Sequence, residues 1–187
     1  MYHCFLVCFP CLATVAQDMV PLPEAVKNSG LQLLLTNLWI GKGGTTAVLH
    51  YDDYENLLCQ IRGTKELVLF PPSDLRNLYY IGRRKGKLKY DFPGKWTRDG
   101  LDGSNKVFFS SSVHVDNPDF TGHPRIKRCR PYRVTLREGD VLYLPAYWHH
   151  EVRSHPDEDE GNIAVNFWFR NVTNFAEEEY ALGGGGG

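Results

Sequence analysis

The chain has 187 residues, with 21 Lys and Arg against 22 Asp and Glu, so its formal net charge is −1. This length suffices for one domain with a buried core, and no apolar run reaches the roughly 18 residues of a membrane-spanning helix. The five cysteines are odd in number and lack regular spacing, which argues against a disulfide scaffold and predicts a reducing compartment.

The first 17 residues are set apart from the rest as a variable N-terminus. Residues 1–16 are apolar and end in small side chains before Gln17, as a secretory signal does. They lack the basic start that such signals carry. We therefore predict a cytoplasmic protein, with the nucleus as a second compartment, and we keep a secretory signal at residues 1–16 as the alternative.

Short apolar runs between glycine-rich turns predict strands along the first half of the chain. Residues 31–40 contain Thr, Trp and Ile and stop at a turn with three glycines, which favours a strand over a helix. Residues 45–52 form the next strand. Residues 57–62 and 65–70 flank Gly63-Thr64, a pair typical of a two-residue hairpin because glycine tolerates a positive φ.

A long basic segment, residues 79–131, separates these strands from a second group. It holds 12 Lys and Arg against 5 Asp and Glu. We interpret it as an irregular insertion, because connections of this length inside a compact domain are uncommon unless they are functional or mobile. Beyond it, residues 133–136 and 141–144 predict another tight strand pair, and residues 148–154 and 162–170 predict two further strands.

The succession of short strands, with glycine-marked turns and no long helix, predicts an all-β fold. Antiparallel strands of this number close into a barrel or a jelly roll, whose interior can hold one small ligand. We expect this domain to cover residues 18–182, followed by a flexible tail formed by the five glycines at 183–187.

A His and an Asp two residues apart carry the first chemical signal. If residues 45–52 are a strand, His50 and Asp52 point to the same face. Such a pair suits a metal with two adjacent ligands, although the motif alone is common by chance. A second His would complete the two-His, one-carboxylate set of non-haem Fe(II) oxygenases. His149 and His150 are the candidates, and only one can face the metal because adjacent strand residues point to opposite faces.

Lys65 carries the second signal, because it shares one strand face with Leu67 and Leu69. A Lys on an apolar face is costly unless an anion pairs with it. The alternative is that Lys65 lies at the end of the strand and reaches water.

Four more motifs follow in chain order: Tyr54-Glu55-Asn56-Leu57, Phe70-Pro71-Pro72-Ser73-Asp74, Leu142-Tyr143-Leu144-Pro145-Ala146 and Ile163-Ala164-Val165-Asn166-Phe167-Trp168. Together with the residues above, they make the chain resemble the JmjC-domain (cupin-type) 2-oxoglutarate oxygenases from about residue 18 to about residue 174. The most similar subgroup is that of the JmjC-only protein hydroxylases, above all the lysyl hydroxylases of developmentally regulated GTP-binding proteins.

The resemblance implies a double-stranded β-helix that binds Fe(II) and uses 2-oxoglutarate as cosubstrate. In the family the second His lies four residues after the Pro-x segment and follows a bulky aromatic residue. Counted from Ala146, that position is His150, so the implied metal ligands are His50, Asp52 and His150, and His149 takes the place of the aromatic.

The resemblance also implies the residues that hold the cosubstrate. A Lys at the spacing of Lys65 binds the distal carboxylate of 2-oxoglutarate in the family. Asn56 and Asn166 match polar positions that line the family's pocket, and the alternative for each is a core amide with its hydrogen bonds satisfied. Ala47 departs from the family pattern, because a Thr that helps to hold 2-oxoglutarate is usual there.

The activity that the resemblance implies is hydroxylation of a protein side chain, Lys or else Asn, with release of succinate and CO₂. Two alternatives stay open. The basic residues 83–89 could hold the phosphates of RNA, as in a tRNA hydroxylase of the wybutosine type, whose core is similar. Ala47 and the short ends would also fit a cupin-like binding module without catalysis. Dimerisation is left open, because the C-terminal helices that pair subunits in the family are absent or reduced here.

Overall fold

The structure is a computed structural model that describes residues 5–8, 26, 29–84, 86–101, 103, 107–158 and 161–171. The glycine tail at 183–187 lies outside these residues, and of the N-terminal segment 1–17 only residues 5–8 are described. No helix in the described ranges has the length and apolar character needed to cross a membrane.

The strands are β1 (Phe5–Cys8), β2 (Leu31–Gly41), β3 (Thr45–Tyr51), β4 (Glu55–Arg62), β5 (Thr64–Phe70), β6 (Tyr80–Arg84), β7 (Gly86–Asp91), β8 (Lys95–Leu101), β9 (Val107–Ser111), β10 (Tyr132–Leu136), β11 (Val141–Leu144), β12 (His149–His155) and β13 (Asn162–Asn171), with two short 3-10 helices at Pro72–Asn77 and Pro124–Arg128.

Two antiparallel sheets form the body of the domain and confirm the predicted all-β, cupin-like fold. The larger sheet has the order β1-β2-β13-β4-β11, and the smaller sheet has the order β10-β5-β12-β3. Leu58 and Ala164 of the larger sheet share one buried cluster with Leu67 and Leu69 of the smaller sheet. The two sheets therefore face each other across a common core, which buries their apolar inner faces.

The outer faces of both sheets also carry buried apolar residues. On the smaller sheet, Leu49 and Phe70 pack with Leu78, which immediately precedes the long basic segment, and with Ile126 near its end. On the larger sheet, the alternate residues of β13 that point away from the core form a separate cluster with parts of β2 and β4. This double burial explains why the central strands are apolar on both faces.

Both predicted hairpins are wrong. β4 pairs with β13 and β11, whereas β5 pairs with β10 and β12, so the chain crosses from one sheet to the other at Gly63. It crosses back between β10 and β11, where Gly139 has a φ of +87°. The Gly63 N–H donates to Glu138 Oε1 at 3.1 Å, which joins the two corners. A glycine suits a turn between two sheets as well as a hairpin within one sheet. Which of the two forms depends on the packing of the two sheets against each other.

The insertion at 79–131 is more regular than predicted. β6 pairs with β9, and β7 pairs with β8 in a nested antiparallel pair. These strands carry Arg and Lys at many positions, so the alternation of apolar and polar residues that predicts a strand is weak in this segment.

Two glycines with nearly the same positive φ provide a test of this packing. Gly43 has a φ of +85°, and a Cβ added to it would lie 2.5 Å from Pro156 N, whereas Gly139 has a φ of +87° and nothing within 4 Å. Gly139→Ala should cost about 1–2 kcal/mol of unfolding free energy through backbone strain alone, and Gly43→Ala should cost about 1–3 kcal/mol more through overlap. Denaturant unfolding measures both, and equal losses would contradict the close approach of Pro156.

Candidate metal centre and its cavity

Two histidines meet on the inner face of the smaller sheet because of the pairing between β3 and β12. His50 lies directly opposite His150 in this antiparallel pair. Opposite residues of neighbouring strands place their side chains on the same face, and the two imidazole rings are 4.3 Å apart between centroids. Asp52 follows directly after the end of β3.

Both imidazoles are held with the same nitrogen directed at the cluster. His50 Nδ1 lies 2.7 Å from the Val48 carbonyl oxygen, and His150 Nδ1 lies 3.0 Å from that of Trp148. A carbonyl can only accept, so each Nδ1 carries a proton, and in the neutral imidazole Nε2 then has the lone pair that can bind a metal. Hydrogen bonds of this kind are how proteins orient histidines that bind metals.

The Asp52 carboxylate completes the cluster. Its Oδ2 lies 3.8 Å from His50 Nε2 and 3.3 Å from His150 Nε2, and one ligand atom from each residue lies within 4.8 Å of the others. Adjacent ligands about 2.1 Å from a shared ion would be roughly 3 Å apart. The donor set and its spacing therefore fit a first-row transition metal bound by two His and one carboxylate.

Burial and neighbouring charges shift the pKa values of His50 and Asp52 in the directions that favour metal binding. Burial, and then the neighbouring His150 imidazole, lower the pKa of His50. Burial alone would raise the pKa of Asp52, but the hydrogen bond and charge of His150 and the charge of His50 outweigh it, so the Asp52 pKa is lowered. At neutral pH the site therefore offers a neutral His50 imidazole and a carboxylate.

Hydrogen bonds join the turn before β12 to the residues that follow β3. The Tyr147 N–H donates to the Asp52 carbonyl oxygen at 2.7 Å. Glu55 Oε2 accepts hydrogen bonds from the Tyr143 hydroxyl at 2.6 Å and from the Ala146 N–H at 3.2 Å. These bonds hold the carboxylate and the second His in one rigid arrangement.

His149 lies on the opposite face of β12. It is 2% exposed, its Nδ1 lies 2.8 Å from the Tyr80 hydroxyl, and its ring contacts Tyr51 and Tyr80. The structure therefore brings His150, and not His149, together with His50 and Asp52. His149 is a core side chain between aromatic rings.

A cavity of about 520 Å³ begins at this cluster and runs between the two sheets. Its lining includes every residue to which the resemblance assigned metal or cosubstrate binding, namely His50, Asp52, Asn56, Lys65, His150 and Asn166. The walls between the polar groups are formed by apolar side chains such as Trp39, Leu58 and Leu67. Ala47 also lines the cavity, beside Thr45 and Thr46, the residues that could replace the hydroxyl missing from position 47.

Lys65 lies at the other end of the cavity and is only 6% exposed, so it does not reach water as a Lys at the end of a strand would. Leu69 is opposite His150 and Lys65 is opposite Ser154 in the β5–β12 pair. Lys65 and Leu69 are four residues apart on β5, a distance of about 13 Å along a strand. This distance separates the backbone at Lys65 from the backbone beside His150.

Asn56 and Asn166 form a short chain of hydrogen bonds across the larger sheet. Asn166 Nδ2 donates to Asn56 Oδ1 at 2.7 Å, and the Trp39 indole N–H donates to Asn166 Oδ1 at 2.6 Å. Both amide atoms of Asn166 are thus engaged by the protein itself. The sequence did not indicate the role of Trp39, whose position in a strongly apolar strand resembles that of any core residue.

The sequence matches the family of cupin-like domains over residues 3–175. It is 33% identical over 149 residues to the human bifunctional peptidase and (3S)-lysyl hydroxylase JMJD7, across 79% of this chain and 45% of that protein. It is 31% identical over 140 residues to lysine-specific demethylase JMJ32 of Arabidopsis thaliana, across 71% and 41%. It is 29% identical over 153 residues to human tRNA wybutosine-synthesizing protein 5, across 82% and 39%. The chain thus spans less than half the length of these relatives.

The position of the two adjacent histidines leads to a test. His150→Ala should abolish binding of Mn(II), because it removes an Nε2 ligand from the cluster. His149→Phe should retain the metal, although the lost contact with the Tyr80 hydroxyl should cost about 1–3 kcal/mol of stability. Electron paramagnetic resonance titration of Mn(II) gives the affinity, and a thermal melt of each variant gives the stability. Loss of the metal in His149→Phe together with its retention in His150→Ala would reverse the assignment.

Proposed function

The chain belongs to the family of cupin-like JmjC domains, whose members are oxygenases, and on that premise we propose that it is an Fe(II)- and 2-oxoglutarate-dependent dioxygenase that hydroxylates a protein side chain. One observation carries the proposal. A single cavity has two oriented imidazoles and a carboxylate at one end and a buried Lys ammonium at the other.

The residues at each end have separate tasks in this reaction. His50, Asp52 and His150 would hold Fe(II), which with 2-oxoglutarate and O₂ supplies the oxidative chemistry that hydroxylates an unactivated C–H bond and releases succinate and CO₂. Three protein ligands leave further coordination positions for small molecules. Lys65 would donate a charge-assisted hydrogen bond to the distal carboxylate of the cosubstrate, and the apolar walls of the cavity would exclude water from the reaction.

A Lys side chain of a protein is the substrate that we propose first, with Asn as the second choice. The support is the similarity to a relative whose name states (3S)-lysyl hydroxylation.

A tRNA substrate is the second candidate, and a specific surface favours it. Arg83 and Arg84 of β6 and Lys87 and Lys89 of β7 are exposed, and Phe92, in the turn between β7 and β8, is 90% exposed. Exposed cationic side chains suit phosphates, and an exposed aromatic ring suits a stacked base. One relative is named as a tRNA wybutosine-synthesizing protein.

The function is tested by succinate release from Fe(II), 2-oxoglutarate and candidate peptides or tRNA, with Lys65→Ala beside the parent. Lys65→Ala should raise the required 2-oxoglutarate concentration by roughly 10- to 100-fold, the equivalent of about 1.5–3 kcal/mol for a hydrogen bond to a charged group. Iron binding should be unchanged, since no ligand is touched. Lys127→Ala is the matched control, because Lys127 is exposed and lies outside the cavity lining. An unchanged 2-oxoglutarate requirement in Lys65→Ala would favour a binding module without catalysis.

Salt dependence separates the two substrate classes. Replacing Arg83, Arg84 and Lys87 by Gln should weaken tRNA binding and flatten its dependence on salt by about one unit of slope for each lost phosphate contact. Hydroxylation of a neutral or basic peptide should change little. Filter binding across a salt series measures the first effect and mass spectrometry of the peptide the second. A tRNA affinity that is salt-insensitive in the parent protein would rule out the RNA candidate.

A further inference from the structure

The cationic end of the cavity is built by three residues from three strands. Lys65 Nζ donates to Ser154 Oγ at 2.6 Å and to Asn162 Oδ1 at 3.0 Å. Lys65 belongs to β5 and Ser154 to β12 of the smaller sheet, whereas Asn162 is the first residue of β13 in the larger sheet. We propose that Asn162 and Ser154 are positioning residues that aim the Lys65 ammonium into the cavity and so determine its selectivity for a ligand with a distal carboxylate.

Asn162 is held in one orientation by its own hydrogen bonds. Its Nδ2 donates to the Thr64 carbonyl oxygen at 3.0 Å and to that of His155 at 2.7 Å. Both amide protons therefore point to backbone carbonyls, and Oδ1 must face Lys65. Asn162 is 3% exposed, so water does not compete for these bonds. The Asn162 amide is thus anchored at Thr64 and His155, and its Oδ1 in turn holds the Lys65 ammonium.

Ser154 supports the ammonium from the neighbouring strand. It lies directly opposite Lys65 in the β5–β12 pair, where side chains of opposite residues share one face. Its backbone carbonyl also accepts the N–H of Gly44 at 2.6 Å. The backbone of Ser154 is therefore held by the strand pairing on one side and by the β2–β3 turn on the other.

Lys65 contributes one positive charge, and its hydrogen-bond acceptors Asn162 and Ser154 contribute none. These three residues together therefore carry a charge of +1. A carboxylate at either neutral position would pair with the ammonium in a buried setting, where such pairing is strong. Because Asn162 and Ser154 are neutral, the Lys65 ammonium keeps its affinity for a carboxylate of the ligand. This inference rests on the proposed function of the cavity.

The test compares two ligands that differ only at the distal end. 2-Oxopentanoate has a methyl group where 2-oxoglutarate has its distal carboxylate, and both share the 2-keto acid end. Titration calorimetry of the Mn(II)-loaded protein gives both affinities, and their ratio measures the contribution of the distal carboxylate. Asn162→Asp should weaken 2-oxoglutarate by roughly 10- to 100-fold and should change 2-oxopentanoate by less than about twofold. A merely structural defect would weaken both ligands together.

Two further variants complete the design. Ser154→Asp adds a carboxylate opposite Lys65 without touching the Asn162 bonds to Thr64 and His155, so it tests the same idea if Asn162→Asp folds poorly. Asn117→Asp adds the same charge at an exposed position and should leave the ratio unchanged. A ratio that stays at the parent value in both Asn162→Asp and Ser154→Asp would overturn the positioning role. Failure of the parent protein to bind either ligand would instead refute the proposed function.

Discussion

The antiparallel register between β3 and β12 is the constraint on which the candidate site depends. It places His50 opposite His150, and a slip of one residue would turn one of the two imidazoles to the outer face of the sheet. The backbone also orients both rings, through the carbonyls of Val48 and Trp148. Val48 belongs to β3, and Trp148 immediately precedes β12. Formation of the β3–β12 pair therefore also orients the two imidazole rings.

The burial of Lys65 is the second constraint. An ammonium with 6% exposure is tolerated only with oxygen partners, and Ser154 and Asn162 provide them from both sheets. The cavity is consequently polar at its two ends and apolar between them. With a divalent metal at the His50 end, both ends would carry positive charge, which suits a ligand with an anionic group at each end, as a dicarboxylate has.

Local sequence patterns predicted the strands far better than their partners. The runs at 31–40, 57–62 and 65–70 all lie in strands of the structure, because alternation and β-branched residues act over a few neighbouring positions. The hairpin expected at Gly63 is instead a corner between sheets. The glycine is needed in either case, so its presence could not distinguish them. In the insertion, the charges of Arg83 and Arg84 masked a strand that pairs with Val107–Ser111.

The all-β class, the spacing of His50 and Asp52 and the place of Lys65 on an apolar face could be read from the sequence, because each depends on a repeat of two residues. The sheet that each strand joins, the choice between His149 and His150 at the cavity and the residues around Lys65 depend on packing between distant strands. Ser154 and Asn162 are ordinary polar residues in the sequence, and they meet Lys65 only when β5, β12 and β13 come together. Contacts of this kind join residues about 90 or more positions apart, and they form because two apolar sheet faces must be buried against each other.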